Sequence, residues 1–418
     1  MRNIKAVIFL GVLIATILCG CTKESDRSSY PQEDFVMVFY CAGFNDLSSD
    51  IRNNLEVLQK ANLPFKGSRH KLLTFTHLSV SDSDFKTLTP SHLVEISKDF
   101  GKIHTDTLLT IDKTRFATDP AVMREVLEKV MELYPGARYG LVFSSHATGW
   151  LPAGKYNNAS VLDLLQFSAR RNAGELPLFR YNENPDEPRV KSIGAEVKLQ
   201  DGKKYSVEMT IQDMASAIPM HLDYLLFDAC LMGGIEVAYE FKDVADKVAF
   251  SPTEVLVFGF DYSDVSTLVS DTPNIEGFCK AYYDSYVQAH HDATITVTKS
   301  SALPALAQTC KTLFSKYRVN LDALNVGSGI QPYFQGSHHW FYDLQDILLK
   351  AGISIEDMAS LQLALDSCIS YKANTPRFMS ITINTYSGLS MYLPGAGDAS
   401  LNGFYKTLAW NKATNLVE

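Results

Sequence analysis

Two side chains in this sequence have the chemistry for nucleophilic catalysis and stand where an α/β sheet could use it. Cys230 closes the apolar run Asp223-Tyr224-Leu225-Leu226-Phe227-Asp228-Ala229, and Gly233-Gly234 then opens a helical pattern through Ile235, Val237, Ala238 and Phe241. This reads as a buried strand, a tight turn and a helix start, with a thiol at the strand's carboxyl end, the rim on which open α/β sheets carry their sites. A thiol there becomes a nucleophile once a base takes its proton, and a helix N-terminus facing it would lower its pKa. His146 is a candidate base. It follows a second apolar strand, Tyr139 to Ser144, and lies 84 residues before the cysteine. Taken alone, the Cys230 stretch is equally compatible with an ordinary buried thiol.

The elements that must position these residues are legible in the patterning. Phe35-Val36-Met37-Val38-Phe39-Tyr40 is a continuous β-favouring run, the mark of a strand covered on both faces. A turn-rich break at Cys41 to Leu47 and a helical pattern at Ile51, Leu55, Leu58 and Ala61 follow. Strands are expected at Lys71 to Leu78 and Leu108 to Ile111, and a helix opens at Asp119-Pro120 in cap-then-proline order. A further helix starts at Thr210…Asp213 and a further strand spans Lys247 to Ser251. This alternation predicts a mostly parallel sheet with helices on both sides, over residues 34–273. From about Asn274 helical patterns dominate, with strands at Thr294 to Thr298, Phe378 to Ile383 and Ser387 to Tyr392, and an α+β subdomain is expected over 274–418. Between His146 and Cys230 lies a polar insert, about Lys155 to Lys204, that reads as irregular.

Composition narrows the function classes. With 418 residues, 46% hydrophobic and a net charge of −9, the chain is a folded protein ill-suited to nucleic acid or anionic lipid headgroups. Met1 to Lys5 is basic and Ala6 to Cys19 is an apolar run too short to span a bilayer, so residues 1–20 read as an export signal. Leu18-Cys19-Gly20-Cys21 resembles the lipobox of bacterial lipoproteins, which would make Cys21 the lipidated N-terminus and residues 21–33 a flexible tether. Thr22-Lys23-Glu24 resembles a cell-surface export signal, so an envelope protein at the outer membrane or cell surface is expected. The cysteines beyond Cys21 are too few and scattered for a disulfide scaffold, and none are spaced for structural zinc.

Taken together, His146 after one apolar strand and Asp228-Ala229-Cys230 after the next resemble the caspase-like clan of cysteine peptidases. Phe227 to Gly233 with Glu236 to Glu240, and Gly388-Leu389-Ser390-Met391-Tyr392-Leu393-Pro394, are similar to the clostripain family. So are Asn45-Asp46-Leu47 and Ser251 to Tyr262, and the resemblance spans about residues 35–395. It implies a three-layer α/β/α sandwich and an endopeptidase with Cys230 as nucleophile and His146 as general acid/base. It further implies an oxyanion site at the Cys230 and Ala147 N–H groups, and Asp228 in the pocket for a basic residue. Polypeptides cut after Arg or Lys would be the substrates.

The chain departs from the family's usual pattern at three places. Ser144-Ser145-His146-Ala147 stands where Trp-Asp-His-Gly is usual, and Phe258-Gly259-Phe260 where a tryptophan is common. Ala147 serves only if its backbone does not need a positive φ, and Ser145 removes a charge that could orient the histidine. A peptidase-like binding protein with impaired catalysis is the alternative those changes leave open.

Family members are matured by cleavage between the histidine and the cysteine, so Arg170, Arg171, Lys191, Lys198, Lys203 and Lys204 mark a candidate self-processing region. Calcium would follow from the resemblance alone, since no Asp-x-Asp-x-Asp loop occurs; no other metal or cofactor is expected. His290-His291 and His338-His339 lack partners at metal-ligand spacing, and Cys41 reads as structural.

Overall fold

Phe35–Gly43 (β1) is apolar throughout because both its faces are covered. Val36, Val38, Tyr40 and Ala42 enter one core, while Phe35, Met37, Phe39 and Cys41 enter a second on the opposite face. The period of two along a strand divides the residues in this way. The computed structural model describes residues 34–155, 195–334 and 340–418, with the backbone of Phe179–Arg180.

The chain continues through Ser48–Lys60 (α1), His70–Leu78 (β2), Ser91–Asp99 (β3), Lys102–Ile111 (β4), Pro120–Leu133 (α2) and Arg138–Ser144 (β5). Glu196–Gln200 (β6), Lys203–Val207 (β7), Ile211–Ala217 (α3), Leu222–Asp228 (β8), Ile235–Glu240 (α4) and Ala245–Phe250 (β9) follow. Ile275–Gln288 (α5), Thr294–Lys299 (β10), Leu303–Lys316 (α6), Ile355–Cys368 (α7), Ile369–Asn374 (β11) and Ser390–Met391 (β12) complete the framework.

The main sheet has nine strands in the order β11-β10-β9-β8-β5-β1-β2-β3-β4. The strands β9, β8, β5, β1 and β2 run parallel, and an antiparallel pair extends each edge. α1 and α5 cover one face and α2, α3, α4 and α6 the other, giving the expected three layers. Asp119 caps α2 by accepting from the Ala121 N–H, and Thr210 and Asp213 close a reciprocal capping box on α3, as their order in the sequence implies.

Three features depart from the sequence reading. The strand expected at Leu108 to Ile111 is the end of a long hairpin, β3–β4, turned at Phe100-Gly101 with φ of 46° and 80°. Its polar, partly exposed strands lack the continuous apolar signal of β1. The stretch from residue 274 is not set apart from this sheet: β10 and β11 pair with β9 and each other, and Asp34–Glu418 form one unit. The end of the polar insert is regular, since β6 and β7 pair from Glu196↔Val207 to Gln200↔Lys203.

The loop after β5 is locked to the turn after β8 at one point. Gly149 has φ +58°, and a Cβ there would stand 2.5 Å from the Leu231 carbonyl oxygen. Gly149→Ala therefore combines a left-handed backbone with a backbone clash. It is expected to lower unfolding free energy by about 1–3 kcal/mol, measured by urea denaturation. Stability equal to wild type would show that the two loops move apart freely.

Candidate active site

The parallel pairing of β5 with β8 sets Ser144 opposite Asp228, and His146 and Cys230 each lie two residues further on. Neighbouring strands are about 4.8 Å apart, so the two residues follow adjacent strand ends on one rim of the sheet. Both line a single cleft of about 460 Å³, together with Asp46, Asp50, Asp228, Glu254 and Gly259. The structure thus brings the cysteine, the histidine and the aspartate singled out in the sequence into one place.

Asp228 is 7% exposed. Its carboxylate accepts hydrogen bonds from the Tyr262 hydroxyl at 2.8 Å and from Ser144 Oγ at 3.4 Å. Burial pushes its carboxyl up to about 6, and these two hydrogen bonds act in the opposite sense. Among the described residues both partners are side chains outside the turn that follows Asp228. Gly259 explains how the carboxylate stays accessible: its φ is +62°, and a Cβ there would press within 3.1 and 3.2 Å of the two carboxylate oxygens.

His146 is held by a residue that sequence reasoning assigned no role. Asp46, in the loop after β1, meets His146 Nε2 at 2.7 Å. β1 is the parallel neighbour of β5, with Cys41 opposite Ser144, so its carboxyl end shares the rim. That adjacency, with Asn45-Asp46 directly after the first strand, was the available signal. Ser145, which removes a charge beside the histidine, instead ties the loop to β1 through Oγ on the Ala42 carbonyl at 2.5 Å. Ala147 is not among the residues of positive φ, so alanine is tolerated where glycine is usual.

The thiol differs from expectation. Leu231 takes a left-handed conformation with φ 59°, and α4 begins only at Ile235, so no helix N-terminus activates Cys230. Burial pushes the thiol up to about 12, with the Glu254 carboxylate next in effect. The Val255 N–H donates to Sγ at 3.4 Å and acts the other way, while Sγ lies 3.6 Å from the Val255 carbonyl oxygen. In this state the thiol is protonated.

The turn after the cysteine is buttressed from far along the chain. The Ser390 N–H donates to the Gly233 carbonyl at 2.9 Å, and the Tyr392 N–H to Glu236 Oε1 at 2.8 Å. This accounts for the Gly388 to Pro394 motif. Cys41 is buried, and the five described cysteines are unpaired thiols. Lys198, Lys203 and Lys204 lie on the β6–β7 hairpin, whereas Cys21, Arg170, Arg171, Lys191, His338 and His339 lie outside the described residues. The His291 ring stacks on Phe258 at 5.1 Å. Among the described residues no group of three or more His, Cys, Asp or Glu is disposed to hold a metal ion.

A sequence profile of the clostripain family matches residues 189–412, more than half of the chain. The chain belongs to the clostripain family. This clostripain-family cysteine peptidase has no match among curated proteins. It is similar to an inactive zymogen C11 protease from Parabacteroides distasonis, with 27% identity, a TM-score of 0.70, and coverage of 91% of this chain and 98% of that one. It shares its fold with a secreted C11 cysteine protease from Bacteroides thetaiotaomicron bound to an irreversible peptide inhibitor. That protein is 22% identical, with a TM-score of 0.70, and the match covers 92% of this chain and 99% of the other. No helix of the described residues is long and apolar enough to cross a membrane.

The thiol's electrostatics can be tested in the clostripain-family chain directly. Glu254→Gln removes a negative charge beside Cys230 and so favours the thiolate. Iodoacetamide labelling of Cys230 at pH 7.5, followed by mass spectrometry, is expected to quicken by about threefold or more. An unchanged or slower rate would show that Glu254 does not set the thiol's ionisation.

Proposed function

We propose that this cysteine peptidase cleaves polypeptides after Arg or Lys, with Cys230 as nucleophile and His146 as its proton partner. The observation that carries the reading is the buried Asp228 carboxylate in the cleft that also holds Cys230 and His146. Asp46, Asp50 and Glu254 line the same cleft, and no Lys or Arg does so among the described residues. Such a site favours a cation: a guanidinium meets Asp228 through paired hydrogen bonds, an ammonium as a point charge.

In this mechanism Asp46 fixes the imidazole by accepting from Nε2–H, which leaves Nδ1 to exchange a proton. As Cys230 Sγ attacks the scissile carbonyl, the thiol proton passes to His146. The imidazolium returns it to the leaving amine, and water then hydrolyses the thioester. The Ala147 and Cys230 N–H groups have no hydrogen-bond partner among the described residues and supply the oxyanion donors. With the thiol pushed up to about 12, attack depends on this transfer rather than on a standing thiolate.

The same reading extends to the rest of the chain. Arg170-Arg171 and Lys191 between the histidine and the cysteine support self-processing, and the Leu18 to Cys21 motif supports a lipid anchor at Cys21 in the cell envelope. Purified active protein is expected to split within residues 155–204 while Cys230→Ala stays intact. Splitting of both forms alike would exclude self-processing. Metabolic labelling with a fatty acid should mark the full-length protein and not Cys21→Ser; equal labelling would remove the anchor from this account.

Specificity is tested with fluorogenic peptides carrying Arg, Lys, Asp or Leu before the cut, with Cys230→Ala as the blank. Turnover is expected for Arg and Lys only, and Asp228→Asn should lower their kcat/KM by about 100-fold or more. Because the Asp228 carboxyl is pushed up to about 6, it gains its charge as pH rises through that value. The kcat/KM for basic substrates should therefore rise through about pH 6, and this step should vanish in Asp228→Asn. Preference for Leu or Asp, or an identical profile in the variant, would defeat the assignment.

A further inference from the structure

We infer that Glu196 is a positioning residue for His146, acting through the Phe44–Asp46 loop; this rests on the role proposed above for His146. Glu196 and His77 are both fully buried, and they stand 119 residues apart in the chain, His77 before the insert and Glu196 near its end. His77 Nδ1 meets Glu196 Oε1 at 2.6 Å, and His77 Nε2 has no partner among the described residues, so among them Glu196 is the one polar group holding that ring. The ring stacks on Phe44 at 4.8 Å and meets Phe116 edge-on at 5.6 Å.

The carboxylate also gathers backbone from two other places. Oε2 accepts from the Thr118 N–H at 3.0 Å and the Thr118 hydroxyl at 3.2 Å, and Oε1 from the Phe44 N–H at 3.3 Å. The residues flanking Glu196 grip the same loop: Asn45 Nδ2 donates to the Ala195 carbonyl at 2.8 Å, and the Val197 N–H to the Phe44 carbonyl at 2.8 Å. The next residue of the loop is Asp46, bridged by the Leu47 N–H on Asn45 Oδ1 at 2.9 Å. Asp46 in turn holds His146 Nε2 at 2.7 Å.

A buried carboxylate is costly unless every lone pair is used, and apolar side chains could fill the same volume at lower cost. Here the charge is placed where four donors converge, one of them the N–H two residues before Asp46. The end of the insert thus sets the position of the histidine upstream of it. Two partners linked in this way show non-additive substitution effects, which independent structural roles do not.

The test is a double-mutant cycle of Glu196→Gln with Asp46→Asn in the full chain, on an Arg-containing fluorogenic peptide. Glu196→Gln is expected to lower kcat about tenfold with KM within about twofold, and to have no further effect once Asp46 is Asn. Losses that multiply in the double variant would overturn the proposal. Thr118→Val, which removes one donor to Glu196, gives the same cycle with a smaller loss if Glu196→Gln does not fold.

A second readout is independent of turnover. In ¹⁵N-histidine-labelled Cys230→Ala protein, the His146 Nε2–H resonance, identified by its loss in His146→Gln, should shift or broaden in Glu196→Gln or Thr118→Val. An unchanged resonance would overturn the clamp even in a fully active peptidase. A shifted resonance without wild-type turnover would instead reject the functional assignment and keep the clamp.

Discussion

The site depends on one register, the parallel pairing that sets Ser144 opposite Asp228. Both strands are buried on two faces, so a slip of one residue would exchange every inward side chain for its neighbour. Asp228 would then leave the cleft, and the steps from the paired row to His146 and Cys230 would no longer match. The long apolar runs that look featureless in the sequence are what hold this register. The Gly149 contact with Leu231 and the Ser390 bond to Gly233 secure the two loops beyond the strand ends.

Electrostatics in the cleft point two ways. The carboxylates of Asp46, Asp50, Asp228 and Glu254 suit a basic side chain, yet Glu254 and Asp228 both disfavour a thiolate at Cys230. A cationic substrate placed on Asp228 would offset part of that field at the moment the thiol must react. In the proposed mechanism the site is therefore quiet when empty, with its thiol protonated and bonded to the Val255 backbone. Asp46 is engaged differently, since its carboxylate is held by the His146 ring at 2.7 Å.

The two departures around the histidine are local exchanges. Ser145 spends its hydroxyl on the Ala42 carbonyl, and the carboxylate beside the imidazole comes from β1's loop instead. Ala147 keeps an ordinary backbone, so its methyl costs nothing. Neither change could be weighed from the sequence, because φ and the neighbour across the sheet are not properties of four consecutive residues.

The sequence by itself determined the central strands, the capped helix starts, and the placing of Cys230, His146 and Asp228 at strand ends. It could do so because doubly buried strands need continuous apolar runs and caps need particular side chains at fixed offsets. It understated the partly exposed hairpin β3–β4 and the regular β6–β7 pair, whose polar strands carry little periodic signal. Only the tertiary structure decided that β10 and β11 extend the main sheet. It alone joined Asp46 to His146 across 100 residues and Glu196 to His77 across 119. It also decided that Cys230 rests as a thiol, since that follows from burial and from Glu254 on a separate loop. Local pattern records what each strand and cap requires of its own residues. Contacts between strands distant in sequence, and the dielectric they enclose, arise only when the sheet is assembled.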